Sequence, residues 1–283
     1  MIGTDISSPD AVSTSCCVIA RGRLDHLRRT LAGLARQHHP ANEVIVVTMG
    51  DPEVVAVAAA EPVVTAVEMI EHHPGDPLPL ARARNRGAAV SDAELLIFLD
   101  VDCIASPELV ADYVCQRRPG LLMGTVCYLP PGIPDNPGDW TIDELRLHGR
   151  PHAARPTPQA AEQTSVYELF WSLNFAVERD TWRALGGFDE DYQGYGGEDT
   201  DVGFEARRQA IPAWFLSGAE AFHQHHAVHD LPVHHLHDIV TNARRFHRKW
   251  GVWPMTGWLA AFAEDGLITW DDHSIDVTTG RTP

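Results

Sequence analysis

Basic side chains are scarce: 22 Lys and Arg face 39 Asp and Glu, for a formal charge of −17. That balance excludes a sequence-independent grip on a phosphate backbone, so nucleic acid is not an expected partner. A phosphate-bearing ligand would need a local offset, which a divalent cation held by some of these carboxylates would supply. Cysteine is sparse too. Cys16, Cys17, Cys103, Cys115 and Cys127 are odd in number and lack C-x-x-C spacing. This argues against a disulfide framework or a thiolate zinc site and fits a reducing compartment. No apolar run approaches the roughly 18 residues of a membrane span, so no integral membrane segment is expected. The N-terminal MIGTDISSPDAVSTS has neither the basic start nor the apolar stretch of a secretory signal, which makes the cytoplasm the expected location. What is present is an ordinary folded composition, 44% apolar and 22% charged over 283 residues, long enough for a full core.

The first half alternates strand and helix signals. Cys16 to Ala20 is short, apolar and β-favouring, and after the turn-like Arg21-Gly22-Arg23, residues Leu24, Leu27, Leu31 and Leu34 fall on one helical face. Glu43 to Thr48 reads as a second strand, and Asp51-Pro52 as the cap and first turn of a helix. Val63 to Ile70 reads as a third strand, Leu80 to Val90 as helix, and Glu94 to Leu99 as a fully covered parallel strand. Ser106-Pro107-Glu108 then starts another helix. The pattern predicts an α/β fold with a mainly parallel sheet flanked by helices, whose ligands gather at the carboxyl ends of the strands. From Leu129 to about Thr164, seven prolines interrupt regular structure, and a loop of that length reads either as a functional loop closing over a ligand or as a surface insertion. Beyond it, Asp180 to Leu185 reads as a short helix closed by Gly186-Gly187, and Ala213 to Phe222 as one strand. Leu236, Ile239, Val240, Ala243, Phe246 and Trp250 mark a helix face that ends at Gly251.

Three groups of residues can carry chemistry. Asp100-Val101-Asp102 follows the most apolar strand, and period-two alternation would put both carboxylates on one side as hard oxygen ligands for Mg²⁺ or Mn²⁺. A solvated acidic turn is the plain alternative. Gly186-Gly187-Phe188-Asp189-Glu190, then Gly194-Tyr195-Gly196-Gly197-Glu198-Asp199-Thr200-Asp201, places an acidic run behind glycines that allow close approach of a ligand. There Asp199 reads either as a general base assisted by Glu198 or, with Thr200, as a helix cap. Eight of the sixteen histidines fall between His223 and His247: His223, His225, His226, His229, His234, His235, His237 and His247. That density favours at least one metal ligand. If the strand continued, His223 and His225 would face one way and His226 the other. Among the few cations, Arg82 reads as a diphosphate or carboxylate contact, and Arg244, Arg245, Arg248 and Lys249 as complements to a helix C-terminal dipole.

The helix LARARNRG, the strand LLIFLDVD, then NFAVERDTWRALGGFDEDYQGYGGEDTDVGFEARR and AFHQ resemble GT-A glycosyltransferases of family 2 that carry a galactosyltransferase-type C-terminal segment. Chondroitin-polymerase domains, β-1,4-galactosyltransferases and polypeptide N-acetylgalactosaminyltransferases are similar there, and the resemblance spans about Ser15 to Gly251. It implies a single GT-A domain with a Rossmann-like mixed, mainly parallel sheet. Its expected parts are a nucleotide-sugar-binding half at 15–128, the Pro-rich loop at 129–164, an acceptor and catalytic half at 165–251, and a C-terminal helical tail at 252–283.

The resemblance further implies metal-dependent inverting transfer from a nucleotide sugar, of UDP type, to a saccharide, glycolipid or other hydroxyl acceptor. Mn²⁺ or Mg²⁺ would sit on Asp102 and His223, with His225 and His226 as rival ligands, and Asp100 would contact the donor. Asp199 would act as base and Glu198 would hold a sugar. Ala20, Arg21, Thr48 and Asp51 would flank the nucleotide base, and Arg82 and Asn85 the ribose and phosphates. The first strand ends in IARGR and the second in TMGD, where relatives have PTYNR-like and DDGS turns, so the nucleotide stays open. A nucleotidyltransferase would need a triphosphate-binding Gly-rich loop with a lysine, absent before Asp100. A non-catalytic carbohydrate- or metal-binding protein on the same scaffold is the remaining alternative.

Overall fold

Strands rich in Val, Ile and Leu, separated by amphipathic helices, fold into a covered parallel sheet. A computed structural model describes residues 12–134, 140–226 and 231–278. It begins β1 (Thr14–Ala20), α1 (Leu24–Ala35), β2 (Glu43–Met49), α2 (Pro52–Ala59), β3 (Ala66–Ile70), α3 (Leu80–Val90) and β4 (Leu95–Asp100). β3, β2, β1 and β4 lie side by side and pair in parallel. Because helices cover both faces, β1 is buried along its whole length. Leu27, Leu31 and Leu34 of α1 pack with Val18 and Val46 on one face, while Ala81 and Ala88 of α3 pack with Cys17 and Phe98 on the other. The Asp51 carboxylate accepts the amides of Glu53 and Val54 and so caps α2, with Pro52 in its first turn.

The chain continues through β5 (Cys103–Ala105), α4 (Leu109–Cys115), β6 (Leu121–Met123), β7 (Val126–Tyr128), α5 (Ile142–His148), β8 (Arg150–Pro151) and β9 (Glu162–Thr164). Then come β10 (Asn174–Glu178), α6 (Arg179–Leu185), α7 (Glu198–Arg208), β11 (Ala213–Phe215), β12 (Ala221–His223), α8 (Leu236–Trp250), α9 (Thr256–Glu264), β13 (Ile268–Trp270) and β14 (Ile275–Val277). β10 runs antiparallel between β4 and β6, and β11 and β9 extend the sheet, so the order is β3-β2-β1-β4-β10-β6-β11-β9. This is the expected mixed, largely parallel architecture. A smaller sheet, β5-β12-β7-β8, sits beside it and sets His223 opposite Cys103.

Four expectations are corrected. Ala213 to Phe222 is two strands, because the chain leaves the large sheet after Phe215, turns through Gly218 at φ +87°, and enters the small one as β12. The Pro-rich stretch contains α5, capped by the Thr141 hydroxyl, and the short strands β8 and β9; its residues 135–139 lie outside the described ones. The tail beyond 252 is mixed rather than helical. There α9 is followed by the β13–β14 hairpin, and Leu259, Phe262, Ile268 and Ile275 pack on Leu236, Ile239 and Val240 of α8. Asp199 and Thr200 do not cap α7; Gly197, at φ +94°, is the cap residue. Among the described residues, no helix is long and apolar enough to cross a membrane.

Candidate active site

The two acidic motifs meet at the carboxyl end of β4. β4 stops at Asp100 and the chain turns through Val101 and Asp102 before β5. The turn breaks the expected alternation, and the two carboxylates, still close enough to interact, take different partners. Asp100 accepts from Arg84 Nη2 at 2.8 Å, and the same guanidinium donates through Nη1 to Glu198 Oε1 at 3.2 Å. Asp102, 4% exposed, instead faces His223 Nε2 at 3.6 Å from Oδ1 and His226 Nε2 at 3.5 Å from Oδ2.

The small sheet builds this second cluster. The β5–β12 register puts His223 opposite Cys103, and the Gln224 amide then donates to the Asp102 carbonyl at 2.7 Å. Because β12 ends at His223, the residues beyond it do not alternate. His226 swings back to Asp102, while His225 is exposed and offers its carbonyl to His26. Ligand atoms of Asp102, His223 and His226 lie within 4.8 Å of one another. One carboxylate oxygen and two imidazole nitrogens form a donor set that fits a divalent transition metal such as Mn²⁺. The Arg23 guanidinium, which also hydrogen-bonds Asp102 Oδ2, shows that this buried carboxylate draws a cation. His229 lies outside the described residues.

Glycine conformations deliver the second motif. Gly196 and Gly197 take φ of +92° and +94°, a backbone that side chains resist, and Asn242 of α8 holds the turn by donating to the Gly196 carbonyl at 2.9 Å. The chain thus enters α7 with Glu198 and Asp199 in its first turn, at the positive end of the helix dipole. Glu198 is 6% exposed and its Oε2 has no hydrogen-bond partner. Burial, reinforced by neighbouring Asp199 and opposed by Arg84, pushes its pKa up to about 7. Burial also raises the pKa of Asp199, against the Thr200 and Ser172 amides and Arg84, which pull it down. Asp199 is the more open of the two, and its Oδ1 accepts the Thr200 amide at 2.7 Å. A partly accessible carboxylate of raised basicity is suited to taking a proton.

Other expected residues also make contacts within the fold. Asp201 accepts from Lys249 Nζ at 2.7 Å and Trp250 Nε1 at 2.7 Å, and Asp189 is bridged by Arg245 Nη2 at 2.9 Å. Arg245 and Lys249 thus tie α8 to the Asp189 turn and to Asp201 of α7, Arg244 binds Asp276, and Arg248 and Lys249 lie in the last turn of α8, at the negative end of its dipole. Asn85 locks α3 to the GGFDE turn by exchanging hydrogen bonds with the backbone of Phe188, at 2.9 Å in each direction. Arg82 is exposed on α3, and Arg84, two residues on, is the one that binds Asp100 and Glu198. Ala20 and Thr48 are buried at the ends of β1 and β2. Arg21 donates to the Met49 carbonyl at 2.9 Å and also pairs with His72, and Asp51 accepts the Gly22 amide at 2.8 Å. These four form one turn cluster at the strand ends.

Arg84 and Arg23 carry no site role in the sequence reading, whereas His226 stands there as a rival to His223 for the metal. Arg84 had a signal: it lies three residues after Ala81 and four before Ala88, on the buried stripe of α3. Arg23 had none, since its place depends on how a turn folds back.

Comparison with known proteins agrees with this geometry. Residues 15–126 match the glycosyl transferase family 2 profile, and residues 158–216 match the N-terminal domain of galactosyltransferase. The chain is 30% identical, over 196 aligned residues, to validoxylamine A glucosyltransferase of Streptomyces hygroscopicus subsp. jinggangensis (strain 5008), covering 60% of this chain and 44% of that protein. The counterpart from subsp. limoneus is also 30% identical, with 41% of its length covered. The chain thus spans less than half of either relative. In fold it is similar to GalNAc-T7, solved with UDP, GalNAc and Mn²⁺: TM-score 0.53 and 13% identity, over 90% of this chain and 57% of that one. It is likewise similar to S. aureus TarS 1-349 in complex with UDP-GlcNAc: TM-score 0.57 and 13% identity, over 83% of this chain and 66% of that one. Fold and both matched segments together relate the chain to GT-A-fold glycosyltransferases of family 2 that carry a galactosyltransferase-type C-terminal segment.

Proposed function

We propose that this protein is a metal-dependent inverting glycosyltransferase that moves a sugar from a nucleoside diphosphate sugar, of UDP type, to a hydroxyl acceptor. The observation that carries the reading is the meeting of a metal-fitting cluster, Asp102, His223 and His226, with the acidic pair Glu198 and Asp199, linked through Asp100 and Arg84. UDP in the GalNAc-T7 structure and UDP-GlcNAc in the TarS structure support the choice of nucleotide, and Mn²⁺ in the former supports the metal.

A divalent cation bound there would neutralise the charge that develops on the diphosphate leaving group. Asp199 takes the acceptor hydroxyl proton as that oxygen attacks the anomeric carbon. The unpaired Oε2 of Glu198 supplies a hydrogen-bond site for a neighbouring sugar hydroxyl, and Arg84 holds Glu198 and Asp100 in place. The five free cysteines suit a reducing compartment such as the cytoplasm. The test is nucleotide release from a panel of UDP- and GDP-sugars, with Mn²⁺ or EDTA, in the parent and in Asp102→Ala. Release that needs both the metal and Asp102 is expected. Release indifferent to both contradicts the reading.

A further inference from the structure

We propose that Arg155 is an oxyanion receptor beside the candidate base, and that it takes a phosphate-type group on one of the two substrates. The assignment rests on the transfer reading above for the identity of the site, but its geometry stands separately.

Both terminal nitrogens of Arg155, Nη1 and Nη2, are shielded from solvent and lack any hydrogen-bond partner. In a chain with 39 Asp and Glu, a guanidinium that only stabilises the fold would be expected to find one of them, as Arg84, Arg117, Arg146 and Arg245 all do. Arg155 has its carbon framework in place and its donors unused. The guanidinium lies against two aromatic rings, 5.4 Å from the centroid of Trp171 and 5.3 Å from that of Phe215. Contacts of this kind fix its plane without using its N–H groups. A turn closed by the Arg155 amide on the His152 carbonyl at 3.0 Å holds the backbone, and a small cavity lined by Gly124, Thr125, Pro151 and His152 opens at the side chain.

The location is what gives the unused fork a role. An unbroken run of rings leads from the metal-fitting cluster to Arg155. His223 lies 4.8 Å from Tyr128, Tyr128 lies 5.8 Å from His152, and His152 lies 4.8 Å from Trp171. Ser172, next to Trp171, donates its amide to Asp199. Arg155 is therefore joined to Asp199 through Trp171 and Ser172, on the same wall of the site. A planar fork of free donors in a water-poor setting matches the oxygens of a phosphate, which accept two parallel hydrogen bonds. Two substrates could supply that group: the donor, through its diphosphate, or the acceptor, through a phosphate near its reacting hydroxyl.

The test is calorimetric titration of inorganic phosphate into the full chain in EDTA, for the parent, Arg155→Met and Arg155→Lys. UDP with Mn²⁺ is titrated into the same three proteins, and their folding is checked by circular dichroism. Phosphate is expected to bind the parent saturably and at least tenfold more weakly to Arg155→Met. Arg155→Lys keeps the charge without the fork and should fall between them; it carries the test if the methionine variant does not fold. A parallel tenfold loss for UDP with Mn²⁺ assigns the anion to the donor diphosphate, whereas an unchanged UDP affinity assigns it to the acceptor. No saturable phosphate binding by the parent, or equal binding by folded variants, overturns the proposal. Since phosphate is titrated without metal or sugar transfer, failure here leaves the transferase reading standing, and failure of turnover leaves this result readable.

Discussion

Replacing Glu198 by Gln should make the protein more stable at neutral and alkaline pH, because the carboxylate is buried at a cost. Its pKa stands near 7 in the fold against an ordinary 4.5, chiefly through burial and next through the neighbouring Asp199 charge. A carboxyl group with a raised folded pKa binds protons more tightly in the native state than in the unfolded one, so stability falls as pH rises from 4.5 towards 7. Integrating that difference at 1.36 kcal/mol per pKa unit gives a penalty of about 3 kcal/mol at pH 8 and about 1 kcal/mol at pH 5. Gln resembles the protonated acid and pays no such penalty. Urea unfolding of parent and variant in EDTA at both pH values should therefore show the variant gaining about 2 kcal/mol relative to the parent between pH 5 and pH 8. A difference independent of pH would mean that Glu198 ionises as an exposed carboxyl does. A gain that shrinks as pH rises would reverse the sign and refute the reasoning.

Two further outcomes follow from the same contacts. Arg84→Met removes the cation that serves both Asp100 and Glu198. Leaving those carboxylates unpaired should cost about 3–5 kcal/mol in urea unfolding at pH 7, and a loss under about 1 kcal/mol would show that the pair is solvated. His226→Ala should weaken Mn²⁺ binding at least about tenfold by calorimetry while His225→Ala leaves it unchanged, and equal effects from both would rule out the structural choice between them.

Much of the parallel half was legible in the sequence, because its signals are local. The apolar run Leu95 to Leu99 is continuous, the Leu27, Leu31 and Leu34 stripe has helical period, and Asp51-Pro52 caps a helix by its own chemistry. The residues that assemble the site were less legible where a chain reversal decides them. Period-two alternation holds only while a strand lasts, and both β4 and β12 end at the residue that mattered, Asp100 and His223. One turn gives Asp102 partners other than the Arg84 that Asp100 takes, and the other brings His226 rather than His225 onto Asp102. Arg84's place follows from helical phase, since the two residues from Arg82 turn the side chain by about 200° and bring Arg84 to Asp100 and Glu198. Asp189 and Asp201 belong to the same acidic run in sequence as Glu198 and Asp199, and only the packing of α8 shows them engaged by Arg245, Lys249 and Trp250.

In the proposed mechanism Asp199 moves a proton at a site whose donor binding depends on other residues. It is tested most directly by comparing Asp199→Asn with the parent in two readings on one preparation: affinity for UDP with Mn²⁺, and sugar transfer with the donor found active. The account predicts unchanged nucleotide affinity and transfer slowed by roughly 10²–10⁴-fold, the range of a lost general base. Transfer at the parent rate would contradict it.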